Sequence, residues 1–314
     1  YGALGANTVG SKSIAIGMEA LANQNPATAT DMYNTAVGHD AGFAITTGAN
    51  NTIVGAQAGD ALTTGELNTV LGKKALSSDT KGNRSVALGR LALGNQNFTT
   101  STVSMNVAVG YSAGSTVTTG TANTFVGYEC GDGTNDGIEN TAIGRAALSG
   151  NCGDGNTSAG HASLFVCTGS GNTAMGASAG SAITSGGNNL TLGKDSGITG
   201  SPGGNLTTHS NNIALGDENI SAFYAQVALT VSSDERDKTD FVDLDLGLDF
   251  VKALEPITYY WDKRSKYGDK TAEDYDLNAQ TPDGTHKEDW MDVGFKAQSV
   301  QTLEEAAGYK IADK

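Results

Sequence analysis

The sequence has few aromatic residues, prolines and cysteines, and each shortage limits what the chain can be. Only 6% of its 314 residues are aromatic, and there are 4 prolines and 3 cysteines. So few large rings argue against a conventional packed core. An odd cysteine count without paired ligand spacing argues against a disulfide framework or a metal site at Cys130, Cys152 and Cys167. We expect all three to be small packing residues.

Basic residues and long apolar runs are also scarce. The formal net charge is −15, which disfavours nucleic acid or an anionic membrane as a partner held by charge attraction. No apolar run approaches the roughly 18 residues of a membrane span, and no signal peptide is visible at Tyr1. We therefore expect no nucleic-acid partner and no membrane insertion. Because the sequence begins inside a repeat, we expect it to be a fragment or a processed product.

Glycine is abundant, with 43 residues, and it marks a short repeat. Each copy has two small or polar residues, two apolar residues and then a glycine, as in Asn34-Thr35-Ala36-Val37-Gly38 and Asn51-Thr52-Ile53-Val54-Gly55. Twelve copies end at Gly17, Gly38, Gly55, Gly72, Gly89, Gly110, Gly127, Gly144, Gly160, Gly176, Gly193 and Gly216. Between Gly38 and Gly89, and again between Gly110 and Gly144, the period is 17 residues. A second glycine-containing segment, of the type Thr46-Thr47-Gly48, recurs in the middle of several repeats.

This period predicts a mainly β fold built as a solenoid. Seventeen residues are too few for two helices, and the apolar positions lack helical spacing. We expect two short β-prone pieces in each repeat, with glycine supplying turn conformations and asparagine bonding the turn backbone. One repeat cannot bury its own apolar face, so successive copies must stack as rungs. Because aromatic residues are rare, we expect the coil to be too thin to hold aromatic rings in its interior.

The repeats at residues 1–220 resemble the heads of trimeric autotransporter adhesins and the glycine-rich shafts of phage tail fibres. The resemblance implies a homotrimer. Packing three thin coils together would also cover sheet edges and surfaces that are exposed to solvent in a single chain. The longer segments at 22–33, 94–105 and 197–211 are the expected places for receptor binding.

We interpret the Gly-Asp-Gly segments at 131–133 and 153–155 as turns, because the nine-residue calcium-binding period is absent. His39, His161 and His209 have no second ligand at metal spacing. We therefore expect no metal and no cofactor.

Composition changes after residue 220. Twelve of the 20 aromatic residues and only five of the 43 glycines lie in residues 221–314. An apolar face from Leu244 to Leu254 predicts a helix that ends before Pro256. Ile257–Trp261 predicts a strand, and residues 262–289 a long loop or hairpin. A second strand is expected from Val293 with Ala297 and Gln298, and a helix from Leu303. Together these predict a small α+β domain at 233–314, after a junction at 221–232.

Three ordered motifs in this part resemble the intramolecular chaperone of phage endosialidases and tail fibres, the peptidase S74 family. They are Ser233, Asp234, Arg236 and Lys238; Leu254, Pro256, Tyr259 and Trp261; and Gly294, Phe295, Ala297 and Gln298. The resemblance implies trimer assembly followed by self-cleavage beside Ser233, at Ser233 or Asp234. The family continues into a long C-terminal helix that is not present before Lys314, so we expect this chain to lack part of the trimer nucleus.

The residues themselves allow a nucleophilic site at Ser233 and Lys238 that is active only when Lys238 is buried. A serine hydroxyl needs a base, and lysine is one only when neutral, which requires burial. Neighbouring carboxylates favour the charged amine in an exposed chain. A five-residue offset also separates the two side chains on a strand or helix. Cleavage is therefore expected only in an assembled state. The alternative is that Ser233 caps a turn and Lys238 is solvated.

These patterns predict a virion tail fibre for host-surface attachment, with a chaperone that drives trimerisation and is then released. No turnover of an external substrate is expected. The predicted partners are two further copies, other tail proteins, and a host receptor that is a glycan or an outer-membrane component. Assembly is expected in the host cytoplasm. The alternatives are a bacterial trimeric surface adhesin, which should end in a membrane-anchoring barrel, and a polysaccharide-degrading tailspike, for which no carboxylate pair in an aromatic cleft is evident.

Overall fold

The computed structural model describes residues 1–223, 247–262, 267, 279 and 281–306. The chain divides into two compact units, Tyr1–Ile220 and Ser221–Lys314. The first unit is a parallel β-solenoid, as the repeat predicts. Its principal sheet has twelve strands: β2 (Ile14–Ile16), β4 (Thr35–Val37), β5 (Thr52–Val54), β6 (Thr69–Leu71), β8 (Val86–Leu88), β10 (Val107–Val109), β11 (Thr124–Val126), β12 (Thr141–Ile143), β13 (Thr157–Ala159), β14 (Thr173–Met175), β15 (Leu190–Leu192) and β16 (Ile213–Leu215).

Every one of these strands is a copy of the sequence motif, and neighbouring copies pair in register. Ala36 lies opposite Ile53, and Ile53 lies opposite Val70. The prediction that the twelve copies stack as rungs is therefore confirmed. Parallel strands lie about 4.8 Å apart, so the eleven steps between β2 and β16 extend the sheet over roughly 53 Å. We use "coil" for the segment from one motif to the next.

Each coil has one strand of this sheet, whereas we expected two β-prone pieces. The segments of the Thr46-Thr47-Gly48 type form bends. Isolated hydrogen bonds link these segments to the next coil, as from Thr46 N–H and Gly48 N–H to the Thr63 carbonyl at 2.9 and 3.3 Å. A second strand pair forms only where a coil has extra residues. There β1 (Gly10–Ser11) pairs with β3 (Thr30–Asp31), and β7 (Gly82–Asn83) pairs with β9 (Thr102–Val103).

The core is a column of small side chains in the middle of the strands. Ala36, Ile53 and Val70 are fully buried, while their strand neighbours face outward. A second interior position changes in size from coil to coil, and the residue three positions later changes in the opposite sense. Several coils with glycine in the first position have a branched apolar residue in the second, as in the pairs Gly42–Ile45, Gly59–Leu62 and Gly180–Ile183. Some coils with leucine there have a buried polar residue instead, as in Leu76–Asp79 and Leu93–Gln96. The two positions share one volume, which keeps packing dense along the solenoid.

One ring does fit inside the coil, so the expectation that the coil is too thin for aromatics is wrong. Phe125 is fully buried in the middle of β11. Its ring occupies space left by two glycines. A Cβ at Gly131 would lie 2.3 Å from the ring, and one at Gly114 would lie 2.9 Å from it.

The second unit contains α1 (Gly247–Ala253), β17 (Ile257–Tyr259), β18 (Asp292–Gly294) and α2 (Ala297–Ala306). The helix ends before Pro256 and the strand begins at Ile257, as the sequence predicts, but the strand ends at Tyr259 and not at Trp261. Ala297 and Gln298 begin α2, whereas we expected them to extend the second strand. The helix expected from Leu303 therefore starts six residues earlier. Within the described residues, no helix is long and apolar enough to cross a membrane.

Candidate functional sites

The predicted nucleophilic pair lies outside the described residues. Ser233, Lys238 and the cleavage position at Ser233 and Asp234 all fall within residues 224–246, as does Arg236. Their assignment as a catalytic pair and cleavage site stays a prediction.

The other two motifs of the C-terminal segment are brought together by two paired strands. β17 and β18 are antiparallel, with Ile257 opposite Gly294 and Tyr259 opposite Asp292. The Trp261 indole N–H donates to the Asp292 carboxylate at 2.7 Å. The Trp261 ring meets Tyr259 edge-on, with centroids 5.4 Å apart. A Cβ on Gly294 would lie 3.3 Å from the Tyr259 ring. Glycine at 294 therefore leaves room for the aromatic pair on the facing strand.

The C-terminal unit has no buried residue within its described part. Large apolar side chains remain open to solvent, and α2 buries none of its residues. They include Trp290 at 54%, Met291 at 56%, Val293 at 75% and Phe295 at 52%. So much exposed apolar surface on a small unit is typical of a segment that is covered by a partner.

The motif glycines of the solenoid have a structural role. Gly38, Gly55, Gly72, Gly89, Gly110, Gly127 and Gly144 all have φ between 135° and 147°. A Cβ on Gly72 would lie 2.5 Å from the carbonyl oxygen of Gly89 in the next coil. Only glycine allows both this backbone conformation and this approach between coils.

The thiols and histidines do not form a reactive centre. All three cysteines are free and buried. Burial raises the pKa of Cys130 to about 12 and that of Cys152 to about 11, so neither is a thiolate at neutral pH. His39 contacts Asp40 at 2.9 Å and His161 contacts Arg145 at 3.0 Å, both on the surface. Among the described residues, no group of three or more metal-ligating side chains is arranged to hold an ion.

Stacking brings together a set of carboxylates that sequence spacing alone does not reveal. Glu19, Asp40 and Asp60 belong to successive coils and line a depression of about 100 Å³ with Phe43. Burial, with a further contribution from the Asp40 charge, raises the pKa of Asp60. One oxygen of Asp60 has no hydrogen-bond partner. The volume is well below the roughly 300 Å³ at which ligand pockets begin, and one phenyl ring does not make a sugar-binding cleft. This depression therefore does not favour the tailspike alternative.

The predicted receptor-binding segments are the places where the coil is widened. Residues 22–33 and 94–105 contain β3 and β9, and residues 197–211 form turns between β15 and β16. Several of their tips are exposed, including Thr28, Thr99 and His209.

The fold defines the class of the protein as a repeat-built β-solenoid shaft with a small C-terminal unit, in which none of the residues that the structure describes is buried. Residues 233–309 match the family model for peptidase S74, described as the chaperone of endosialidase. The resemblance predicted from the three motifs is therefore confirmed for this segment. No curated protein and no solved structure is significantly similar to the chain.

Proposed function

We propose that the chain is a structural virion fibre, a tail fibre, that assembles as a homotrimer and attaches to the host surface. Its C-terminal segment is a chaperone that aligns the three chains and is released by self-cleavage at Ser233. Other tail proteins hold the fibre on the virion, and assembly takes place in the host cytoplasm. The proposal rests on one observation. The same chain contains a regular solenoid and a segment that matches the endosialidase chaperone family.

A continuous apolar stripe on the solenoid supports self-association. The residue before each motif glycine faces outward, and in all twelve strands it is apolar and half-buried or exposed. We call these residues the outer stripe: Ile16, Val37, Val54, Leu71, Leu88, Val109, Val126, Ile143, Ala159, Met175, Leu192 and Leu215. Ile16 is 60% exposed and Leu71 is 54% exposed. A patch of this length on one chain is typical of an interface, and two further copies would cover it along its whole extent.

The regularity of the shaft explains why a chaperone is needed. Neighbouring coils are nearly alike, so two chains can pair one coil out of step with little loss of contact area. The structure also repeats on a longer scale. Gly10 in β1 and Gly82 in β7 are 72 residues apart, and so are Thr30 in β3 and Thr102 in β9. A nucleus at one end of three chains removes both kinds of register error.

The chemistry of Ser233 and Lys238 makes release follow assembly. The Ser233 hydroxyl attacks the carbonyl carbon of an adjacent peptide bond, and neutral Lys238 takes its proton and passes it to the departing amine. Water then hydrolyses the ester. Lys238 is neutral only when buried away from Asp234, Glu235, Asp237 and Asp240, which a lone extended chain does not provide. Removal of the segment leaves a shaft that persists because its unfolding is slow.

The deciding experiment compares three variants of the whole protein on denaturing gels after expression. Ser233→Ala and Lys238→Ala should each remain uncut, whereas Ser232→Ala should still be processed. Light scattering should give a trimer mass for all three. Normal cleavage of Ser233→Ala would rule out the pair, and a monomer mass for a folded, protease-resistant preparation would rule out the fibre.

A further inference from the structure

The position directly after each motif glycine forms a second column along the shaft. The backbone bends at the glycine, so this column lies beside the sheet face that carries the outer stripe. We call it the post-glycine column. Its members are Met18, His39, Ala56, Lys73, Arg90, Tyr111, Tyr128, Arg145, His161, Ala177, Lys194 and Asp217.

Positive charge is concentrated in this column. Residues 1–220 contain only eight basic residues: Lys12, Lys73, Lys74, Lys81, Arg84, Arg90, Arg145 and Lys194. Four of those eight, together with two histidines, are in the post-glycine column. It contains a single acidic residue, Asp217, although the shaft has more acidic than basic residues. From Lys73 to His161, six successive coils each present a basic or tyrosine side chain that is exposed.

Three of the five neighbouring pairs in this run are in contact across coils. The Arg90 guanidinium donates to the Tyr111 hydroxyl at 2.9 Å and lies 5.4 Å from the centre of the Tyr111 ring. Tyr111 and Tyr128 are stacked, with centroids 5.2 Å apart and planes within 10°. Arg145 and His161 are 3.0 Å apart. These contacts hold the Arg90 guanidinium against the tyrosine pair and the Arg145 guanidinium against His161, which reduces the entropy lost when the two groups bind an anion.

We propose that the run from Lys73 to His161 is a binding site for an acidic polysaccharide that lies along the shaft. The guanidinium groups bind carboxylate or other anionic substituents, and the tyrosine hydroxyls bind sugar hydroxyls. The proposal rests on the proposed function, because it names the chemical class of the host glycan. At about 4.8 Å per coil, the five steps of the run span roughly 24 Å, which suits an extended polymer better than a small anion.

The same geometry argues against a nucleic acid in this site. Bases bind single-strand sites by stacking on free aromatic faces, but Tyr111 already has Tyr128 on the coil after it and Arg90 on the coil before it. Duplex DNA carries one charge per roughly 1.7 Å, which a chain of net charge −15 repels strongly. A polysaccharide with one carboxylate per sugar carries a much lower charge density.

The test measures binding of the whole chain to immobilised polygalacturonate, with dextran as the neutral polymer and single-stranded DNA as the competing polyanion. At about 0.1 M NaCl, we expect binding to polygalacturonate and none to dextran. The double variant Arg90→Gln and Arg145→Gln should bind at least about tenfold more weakly. The charge-matched control, Lys81→Gln and Arg84→Gln, removes two cations outside the column and should bind like the parent.

Equal loss in the two double variants would overturn the site, because it would assign binding to overall charge. Binding to DNA as tight as that to polygalacturonate, lost in the same column variant, would overturn the polysaccharide class. Circular dichroism of each variant establishes that the solenoid is intact. If the column variant binds normally while particles lacking the fibre fail to adsorb, the site is wrong and the proposed function stands. If the column binds the polymer but particles without the fibre adsorb normally, the attachment function is wrong.

Discussion

At the scale of the residue, the motif glycine is a constraint that recurs along the solenoid. Successive coils approach so closely at this position that a methyl group would overlap the next carbonyl, as between Gly72 and Gly89. The same residue needs a φ of 138°, which other residues rarely adopt. Both requirements recur at the motif glycines from Gly17 to Gly176, so one substitution there disturbs two coils at once.

Gly72→Ala should destabilise the solenoid by about 3 kcal/mol or more, because steric overlap adds to backbone strain. Gly171→Ala is the matched control, since Gly171 has φ of 68° but its nearest neighbouring atom would be 3.8 Å from a Cβ. The control should cost only the conformational term, about 1–2 kcal/mol. Chemical denaturation of both variants checks the difference, and equal midpoints would contradict the close-approach argument.

A second residue-scale prediction concerns the pH dependence of stability. Burial and the nearby Asp40 charge raise the pKa of Asp60 in the folded state, while Lys74 opposes them. A raised carboxyl pKa means that stability is retained below the unfolded pKa and falls as the pH rises through the folded pKa. Asp60→Asn should therefore raise the thermal midpoint at pH 7 more than at pH 3.

Asp217 provides the control of opposite sign. Hydrogen bonds from the Asn219 side chain and backbone lower the pKa of Asp217, so Asp217→Asn should lower the midpoint at pH 7 more than at pH 3. Identical pH profiles for the two variants would show that neither carboxylate is coupled to folding.

At the scale of the element, the coils are joined by a ladder of buried asparagines as well as by strands. The Asn34 side-chain oxygen accepts the Asn51 N–H at 2.9 Å, and the Asn51 oxygen accepts the Asn68 N–H at 3.0 Å. The Asn51 amide also donates to the Gly65 carbonyl at 3.0 Å. The sequence predicts bonds to the turn backbone, and these exist. The link to the next asparagine could not be predicted, because it depends on the register between coils.

The ladder weakens where the period changes from 17 to 16 residues. The Asn140 side-chain nitrogen is buried without a hydrogen-bond partner. Equivalent asparagines, such as Asn123, donate to a glycine carbonyl 14 residues later. The loss is local, because Asn156 precedes another 16-residue coil and still donates to the Gly169 carbonyl at 2.9 Å.

Asn51→Ala should destabilise the shaft by about 2–4 kcal/mol, because buried groups on both neighbouring coils lose a partner at roughly 1–3 kcal/mol each. Asn95 is an exposed asparagine of the same shaft, and Asn95→Ala should change stability by less than about 0.5 kcal/mol. Urea titrations compare the two. A small effect of Asn51→Ala would mean that water replaces the ladder.

At the scale of the whole molecule, the sequence predicts the solenoid well because its repeat carries the register. The position of each glycine fixes the strand before it, so all twelve strands could be located in advance. Columns across coils were harder to foresee, since they depend on which residue of each coil faces outward. Arg90, Tyr111 and Tyr128 are separated by 21 and 17 residues and become neighbours only when the coils stack. In the C-terminal segment, Ala297 looks like a strand residue because it follows β-prone Val293 and Phe295, yet it begins α2.

Self-association should depend on the outer stripe. The double variant Val54→Glu and Leu71→Glu places two carboxylates on the outward face of β5 and β6. Charges buried between chains without partners cost several kcal/mol each, so light scattering should show a shift from trimer to monomer mass. The interior is untouched, since the buried residues of these strands are Ile53 and Val70, and circular dichroism should keep its β signature. Val166→Glu introduces the same kind of change at a 40% exposed apolar residue away from the stripe and should leave the mass unchanged. A trimer mass for the double variant would place the interface between copies on another face of the shaft.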